Sequence, residues 1–306
     1  MQSSPEYLSS LSLGTATLMR EPSRRVRLRL LEHAYAAGVR AFDTAPSYGL
    51  GSAEKDLGWL SEQVGGQLEV TTKWGRSLND GGQILRAVQA PARALVRRFP
   101  QIRSAVAKAA NAQGETVAPS FADVCSTFEV SRARLGEPSR VNFLAHEVSW
   151  TEGWLDVWQQ LEAAAPHMGV QRLGLSGPHD VISTWPQDVL ASAAVIQTPI
   201  DLAPPRSQYV IGYSAVTFAR SRRNVLRAQV GDLGQRWVGS EINESDEIVI
   251  ELIAILRTGK FDRIVVGTSS LERLISIIDT FGRWWDSTSV DWLCVREDLG
   301  FAEVGA

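Results

Sequence analysis

Short runs of β-branched and other apolar residues recur along the chain, and between many of them apolar positions fall at helical spacing. The runs at 11–14, 39–43, 68–73, 141–146, 170–176, 195–198, 209–214 and 264–268 read as strands. Several are nearly continuous in apolar residues, as strands covered on both faces require. Residues 25–37 place Val26, Leu30, Ala34 and Ala37 on one helical face and stop at Gly38. Residues 122–135 run into Gly136 in the same way, and 154–165 carry Leu155, Trp158, Leu161 and Ala165 at helical spacing. A further helix is expected over 246–257, capped by Ser245 and followed by Gly259. Alternation of strand and helix predicts a parallel sheet. Eight strands in 306 residues fit an α/β fold, an eight-stranded parallel (β/α)8 TIM barrel, whose usual length is about 250 residues. The rival, an open doubly wound sheet, usually carries a phosphate loop after its first strand, and neither GxGxxG nor GxxxxGK[ST] occurs here.

Two spans depart from that regular alternation. Residues 76–119 form an insertion after the third strand. Ile84, Val88, Leu95 and Phe99 give it a helical pattern that Pro91 and Pro100 interrupt. It is basic, with Arg76, Arg86, Arg93, Arg97, Arg98, Arg103 and Lys108 against Asp80 and Glu115. Conversely, only 199–208, with Pro204-Pro205 inside it, separate the sixth and seventh strands. A crossover with its helix takes at least about ten to twelve residues, so either this one is short and lacks an ordinary helix or the strand register differs here. The whole chain, 1–306, reads as a single barrel domain.

Composition narrows the function classes. A net charge of −3 argues against a nucleic-acid partner, whose binders usually show a basic excess. Cys125 and Cys294 are too few for a disulfide scaffold, and no CxxC spacing suggests a metal. The first residues lack the basic and apolar regions of a signal peptide, and no apolar stretch is long enough for a membrane span. The longest, 248–256, contains Glu251 and reads as a buried helix. A soluble, cytoplasmic protein is expected.

Active sites of β/α barrels gather at the C-terminal ends of the strands. Reading those ends in order gives Asp43 with Tyr48 close behind, then Lys73, then His146. Lysine is scarce here, only Lys55, Lys73, Lys108 and Lys260 against 27 arginines, so a lysine closing an apolar strand stands out. Singly, these residues have ordinary readings: a snorkelling lysine, a turn aspartate, a half-buried tyrosine and a core histidine. Together they form a set suited to protonating a carbonyl oxygen. A phenol titrates near 10, an adjacent ammonium lowers that value, a carboxylate holds the ammonium, and an imidazole orients the substrate oxygen.

The sequence resembles the aldo-keto reductases over essentially its whole length. Gly14-Thr15, AFDTAPSYGLGSAEKDLG, TTKWG and NFLAHE are similar to the family's segments around its aspartate, tyrosine, lysine and histidine. The resemblance implies that Tyr48 is the general acid/base, tuned by Lys73 and Asp43, with His146 orienting the carbonyl. It implies an NADP(H) site built from Gly14, Thr15, Asp43, Ser176, Gln197, Tyr213, Ser214, Gly267, Thr268, Ser269 and Arg273. Ser176 and Gln197 would take the nicotinamide carboxamide, Tyr213 would stack on the ring, and the backbone after it would bind pyrophosphate. Thr268 and Ser269 would begin a helix N-terminus suited to phosphate, and Arg273 would clasp the 2′-phosphate. Two positions depart from the family pattern: Gly177 stands where asparagine is usual, and Ile277 stands where an adenine-binding asparagine often occurs.

Trp74 and Trp150, next to Lys73 and after His146, are candidates for an apolar substrate pocket. The expected partner is a small-molecule carbonyl or alcohol, with the basic insertion a candidate for selecting an acidic or carrier-bound substrate. Two other uses of the same barrel are a cofactor-binding, redox-sensing subunit and an interaction scaffold.

Overall fold

The computed structural model describes residues 6–75, 120–201 and 209–300. Eight strands pair in chain order: β1 (Leu11–Gly14), β2 (Ala41–Asp43), β3 (Glu69–Trp74), β4 (Arg140–His146), β5 (Arg172–Ser176), β6 (Val195–Pro199), β7 (Val210–Tyr213) and β8 (Arg263–Gly267). All pairings are parallel and β8 returns to β1, so the sheet closes into a (β/α)8 barrel. Around it lie α1 (Glu6–Ser9), α2 (Arg24–Ala37), α3 (Ser52–Gln63), α4 (Phe121–Leu135), α5 (Trp154–Met168), α6 (His179–Ile182), α7 (Gln187–Ser192), α8 (Ala215–Val230), α9 (Leu233–Val238), α10 (Glu244–Arg257), α11 (Leu271–Trp285) and α12 (Trp292–Asp298).

The strands fall close to the apolar runs, and the offsets have local causes. β2 and β5 begin two residues after Val39 and Val170 because those N–H groups are used by the preceding helices, bonding the carbonyls of Ala34 (3.0 Å) and Ala165 (2.9 Å). In both cases a left-handed glycine, Gly38 or Gly169, reverses the chain just before the valine. α10 begins at Glu244 and is capped by Asn243, not Ser245. The Asn243 side chain accepts from the N–H of Ser245 (2.8 Å) and of Asp246 (3.1 Å), leaving Ser245 inside the first turn. In α2 the buried face is Leu30, Leu31 and Ala34, while Val26 is exposed.

The apolar core lies between the barrel and its helices in two main bodies. One joins β1, β2 and β8 to α2, α10 and α11, and it takes in Ile248, Val249, Leu252, Ile253, Ile255 and Leu256 of α10. The other, under α4 and α5, stacks tryptophans: Trp154 lies 5.4 Å from Trp74, and Trp185 lies 5.5 Å from Trp158. The N-terminal floor of the barrel is polar. Glu69 accepts from Arg263 (2.6 Å) and from Asn142 (3.1 Å), a buried charge matched by its partners as burial demands.

The insertion expected at 76–119 lies outside the described residues. In the connection from β6 to β7, Ile200 and Asp201 form a turn and 202–208 lie outside the described residues; the strands it joins are direct parallel neighbours. No helix among the described residues is long and apolar enough to cross a membrane.

Candidate active site

Side chains along a strand alternate between its two faces, and the barrel register carries that alternation around the ring. Gly14 pairs with Asp43 on one side and Gly267 on the other; His146 pairs with Ser176, and Ser176 with Gln197. With Lys73 on β3 and Tyr213 on β7, each of the eight strands brings at least one residue of the inward set to a single cavity of about 340 Å³ at the C-terminal mouth.

Tyr48 reaches the same cavity from the turn after β2. That turn runs through three consecutive left-handed residues, Gly49, Leu50 and Gly51. Gly51 is required twice over: its φ is 82°, and a Cβ there would come within 2.5 Å of the Arg134 guanidinium. Arg134 is itself held by Glu54 at 2.9 Å, and Glu54 also accepts from Thr72 beside Lys73. The tyrosine turn and the lysine strand therefore share one support.

The charged centre is almost wholly buried. Lys73 Nζ donates to Asp43 Oδ1 at 2.6 Å and to the Thr44 carbonyl at 2.9 Å. Gln197 Nε2 donates to the same Asp43 oxygen at 2.7 Å, and Ser176 Oγ donates to Gln197 Oε1 at 2.7 Å. The Lys73 nitrogen lies 5.2 Å from the centre of the Tyr48 ring, and the Tyr48 and His146 rings meet edge to face at 6.1 Å. Burial works against the Lys73 charge, but Asp43 and the Tyr48 hydroxyl outweigh it, and the ammonium is held above its usual range. Tyr48 also moves upward. Burial raises it most and Asp43 adds to the rise, while Lys73 pulls it down without reversing the sign. The expected lowering by Lys73 operates, but desolvation of the phenol is larger. The site holds a charged ammonium beside a neutral phenol, a proton donor ready for an oxygen that gains negative charge.

Other expected site residues take different places. Thr15 is fully buried and does not face the cavity; its hydroxyl donates to the Asp43 carbonyl at 3.0 Å and fastens that strand end. Ser214 adopts a left-handed conformation (φ 59°) at the N-cap of α8 and lines the cavity. Thr268, Ser269 and Arg273 line a second cavity of about 260 Å³, together with Ile277. Thr268 and Ser269 precede the α11 helix rather than starting it. Ser270 is the N-cap and accepts from the Arg273 N–H. Neither tryptophan walls the inner cavity. Trp74 follows Lys73 by one position, so it points to the outer face and is buried against Phe143 and Trp154; Trp150 packs on Trp185 at 5.2 Å.

The two cavities share Thr17, Arg20, Val216, Thr217 and Gly267 and so form one elongated groove. Thr17, Arg20 and Glu147 were not singled out from the sequence. Glu147 follows His146 in a left-handed conformation (φ 53°), and its N–H bonds the Ser176 carbonyl at 2.6 Å. Adjacency to His146 is the signal that would have found it; Thr17 and Arg20 lie in an irregular turn without one.

The parallel barrel gathers a tyrosine, a lysine, an aspartate and a histidine at its mouth, and the comparisons identify the family. A family model described as the Aldo/keto reductase family matches residues 10–182. The chain belongs to the aldo/keto reductase family, whose members generally use a nicotinamide cofactor and act on small-molecule carbonyl compounds. Solved structures share the fold. Aldo-keto reductase AKR11C1 from Bacillus halodurans, in its holo form, is 14% identical with a TM-score of 0.63, covering 97% of this chain and 93% of that one. MGS-M4, an aldo-keto reductase from a deep-sea metagenome library, is 15% identical with a TM-score of 0.57 over 97% and 93% of the two chains. A D-threo-aldose 1-dehydrogenase of a Pseudomonas species is 50% identical over 50 residues, which are 16% of this chain and 15% of that protein.

Proposed function

We propose that this chain interconverts a carbonyl compound and its alcohol using NADP(H), with Tyr48 as the general acid and base. The observation that carries the reading is the neutral phenol beside a buried, carboxylate-held ammonium, next to an imidazole in the same cavity.

The groove suits a dinucleotide in two respects. It has two lobes joined at a shared waist, as an extended two-part ligand needs. The waist carries a polar atom with nothing to bind: Thr17 Oγ1 is buried without a partner. Beside Ser176, a Cβ on residue 177 would meet Glu147 and Val181 at ordinary contact, 3.5 Å, so a side chain could be added there without a clash. On this reading Ser176 and Gln197 would receive the nicotinamide carboxamide, Tyr213 would cover the ring, and Arg273 would take the 2′-phosphate. The reduced nicotinamide, when bound, supplies a hydride for the carbonyl carbon.

The remaining work falls to the chain's own residues. His146 fixes the substrate oxygen within reach of the Tyr48 hydroxyl, and Tyr48 passes its proton to that oxygen as charge develops there. Lys73, held charged by Asp43, stabilises the phenolate left behind. A phenol kept protonated by burial is in the state that carbonyl reduction requires of its acid.

The reading is tested with NADPH and a panel of carbonyl compounds that includes hydroxylated aldehydes. Wild type is expected to turn over at least one, and Tyr48→Phe to keep its NADPH affinity while losing about 10²–10⁴-fold in kcat. A fully active Tyr48→Phe enzyme contradicts the assignment of the acid. NADPH binding with no turnover of any carbonyl favours the redox-sensing subunit instead.

A further inference from the structure

The outer lobe of the groove is lined by three arginines, Arg20, Arg220 and Arg273, and by no carboxylate among the described residues. Only one of the three also lines the inner lobe: Arg20, from the 3-10 turn Leu18–Arg20 that follows β1. Arg220 is drawn toward Glu244, at 3.4 Å. Arg20 has no ion-pair partner among the described residues, and its exposed side chain stands over the waist between the lobes.

Across that waist lies the first turn of α8. Its N-cap, Ser214, makes no side-chain bond to the helix, so the leading N–H groups of a 16-residue helix are left to face the groove. The helix end contributes roughly half a positive charge. A diphosphate bridge carries about two negative charges, so the helix end alone leaves most of that charge uncompensated. Thr17 adds a second independent sign of a ligand here. Its hydroxyl is buried without a partner at this same waist, and it reaches that place only because residue 267 is glycine; a Cβ there would lie 2.6 Å from the hydroxyl oxygen.

We infer that Arg20 and Thr17 grip the diphosphate bridge of the dinucleotide from the β1 side, opposite the α8 N-terminus. The inference rests on the proposed function and adds to it a division of labour among the arginines. Arg20 holds the phosphates that NADP(H) and NAD(H) share, whereas Arg273 and Arg220 lie in the lobe that would take the adenosine end.

The test is binding, read by quenching of tryptophan fluorescence, for wild type, Arg20→Gln, Arg20→Lys and Arg273→Gln, each with NADPH, NADH and 2′,5′-ADP. Arg20 is exposed on a turn, so its replacement leaves the core intact. Arg20→Gln is expected to weaken NADPH and NADH by the same factor, roughly ten- to a hundredfold, and to leave their ratio unchanged. Its binding of 2′,5′-ADP, which lacks the diphosphate bridge, should change far less, and Arg20→Lys should recover part of the loss. Arg273→Gln should weaken only NADPH and 2′,5′-ADP. Unchanged dinucleotide affinity in Arg20→Gln overturns the inference while leaving the proposed function standing, as does a loss confined to NADPH. A wild-type protein that binds neither dinucleotide overturns both.

Discussion

The two lobes of the groove are built on opposite plans. In the inner lobe the polar side chains of Asp43, Lys73, Ser176 and Gln197 are already bonded to one another, and all four are buried. In the outer lobe Arg20 and Arg273 have no ion-pair partner among the described residues, and Thr17 Oγ1 at the waist has no hydrogen bond. The contrast follows from what each end must do. A buried charge without a partner costs several kcal/mol, so the inner lobe must be satisfied before any ligand arrives, and that also fixes its geometry. An exposed arginine is solvated and costs little to keep waiting. On the proposed function, chemistry is assembled at one end and affinity is held in reserve at the other.

The sharpest way to break this comparison is to remove one charge from each lobe. Lys73→Met strands Asp43 in the barrel, and unfolding by urea should show a loss of about 3–5 kcal/mol along with loss of turnover. Arg273→Gln should unfold within about 0.5 kcal/mol of wild type, since exposed positions outside special features rarely cost more. Comparable stability losses in the two variants would refute the division.

Another buried carboxyl lies on α10, whose Ile248, Val249 and Leu252 line the outer lobe. Glu251, on α10, has an oxygen without a hydrogen-bond partner, and burial pushes its carboxyl up to about 7 against a modest downward pull from Arg222 and Arg223. A carboxyl that binds its proton more tightly when folded loses folded stability as pH rises from its ordinary value of 4.5 through 7. Glu251→Gln should therefore match wild type near pH 4 and exceed it at pH 8, by about 3 kcal/mol. Denaturant melts at the two pH values check this. Equal stability of the pair at pH 8 would mean that Glu251 is paired as well as Asp43 is.

Smaller effects probe the inner lobe. Tyr48 is held above 10, so ultraviolet difference titration against Tyr48→Phe should show no Tyr48 phenolate until above that pH, and Lys73→Met should move it higher still. Gly177→Asn places a side chain where only ordinary contacts wait, and it is expected to tighten nicotinamide binding a few-fold, within about 1 kcal/mol. Weaker binding in that variant would show that a side chain beside Ser176 obstructs the cofactor instead of holding it.

Much of this was legible in the sequence because strands repeat every two residues and end where barrel sites form. The eight inward strand-end residues, from Gly14 to Gly267, each lie at or within one position of the end of an apolar run. The same rule, applied one step further, assigns Trp74 to the outer face, since Lys73 and its neighbour cannot both face inward. Thr15 stands to Gly14 as Trp74 does to Lys73, so the same alternation turns it from the cavity, and its hydroxyl donates to the Asp43 carbonyl. α8 was hidden because a helix carrying so many arginines buries only Ala215, Ala219 and Leu226, too few to make a pattern. Arg20 and Thr17 sit in a turn with no periodicity, and only the shape of the groove singles them out. The capping of α10 by Asn243 instead of Ser245 turned on which of two good cap residues, two positions apart, took the role.

The central claim is that one groove, catalytic at its inner end and anionophilic at its outer end, takes a single phosphorylated dinucleotide. Titration of the wild-type protein with NADPH and NADH, followed by tryptophan quenching, tests it most directly. The account predicts one NADPH per chain, bound more tightly than NADH; binding of neither, or no preference between them, would contradict it.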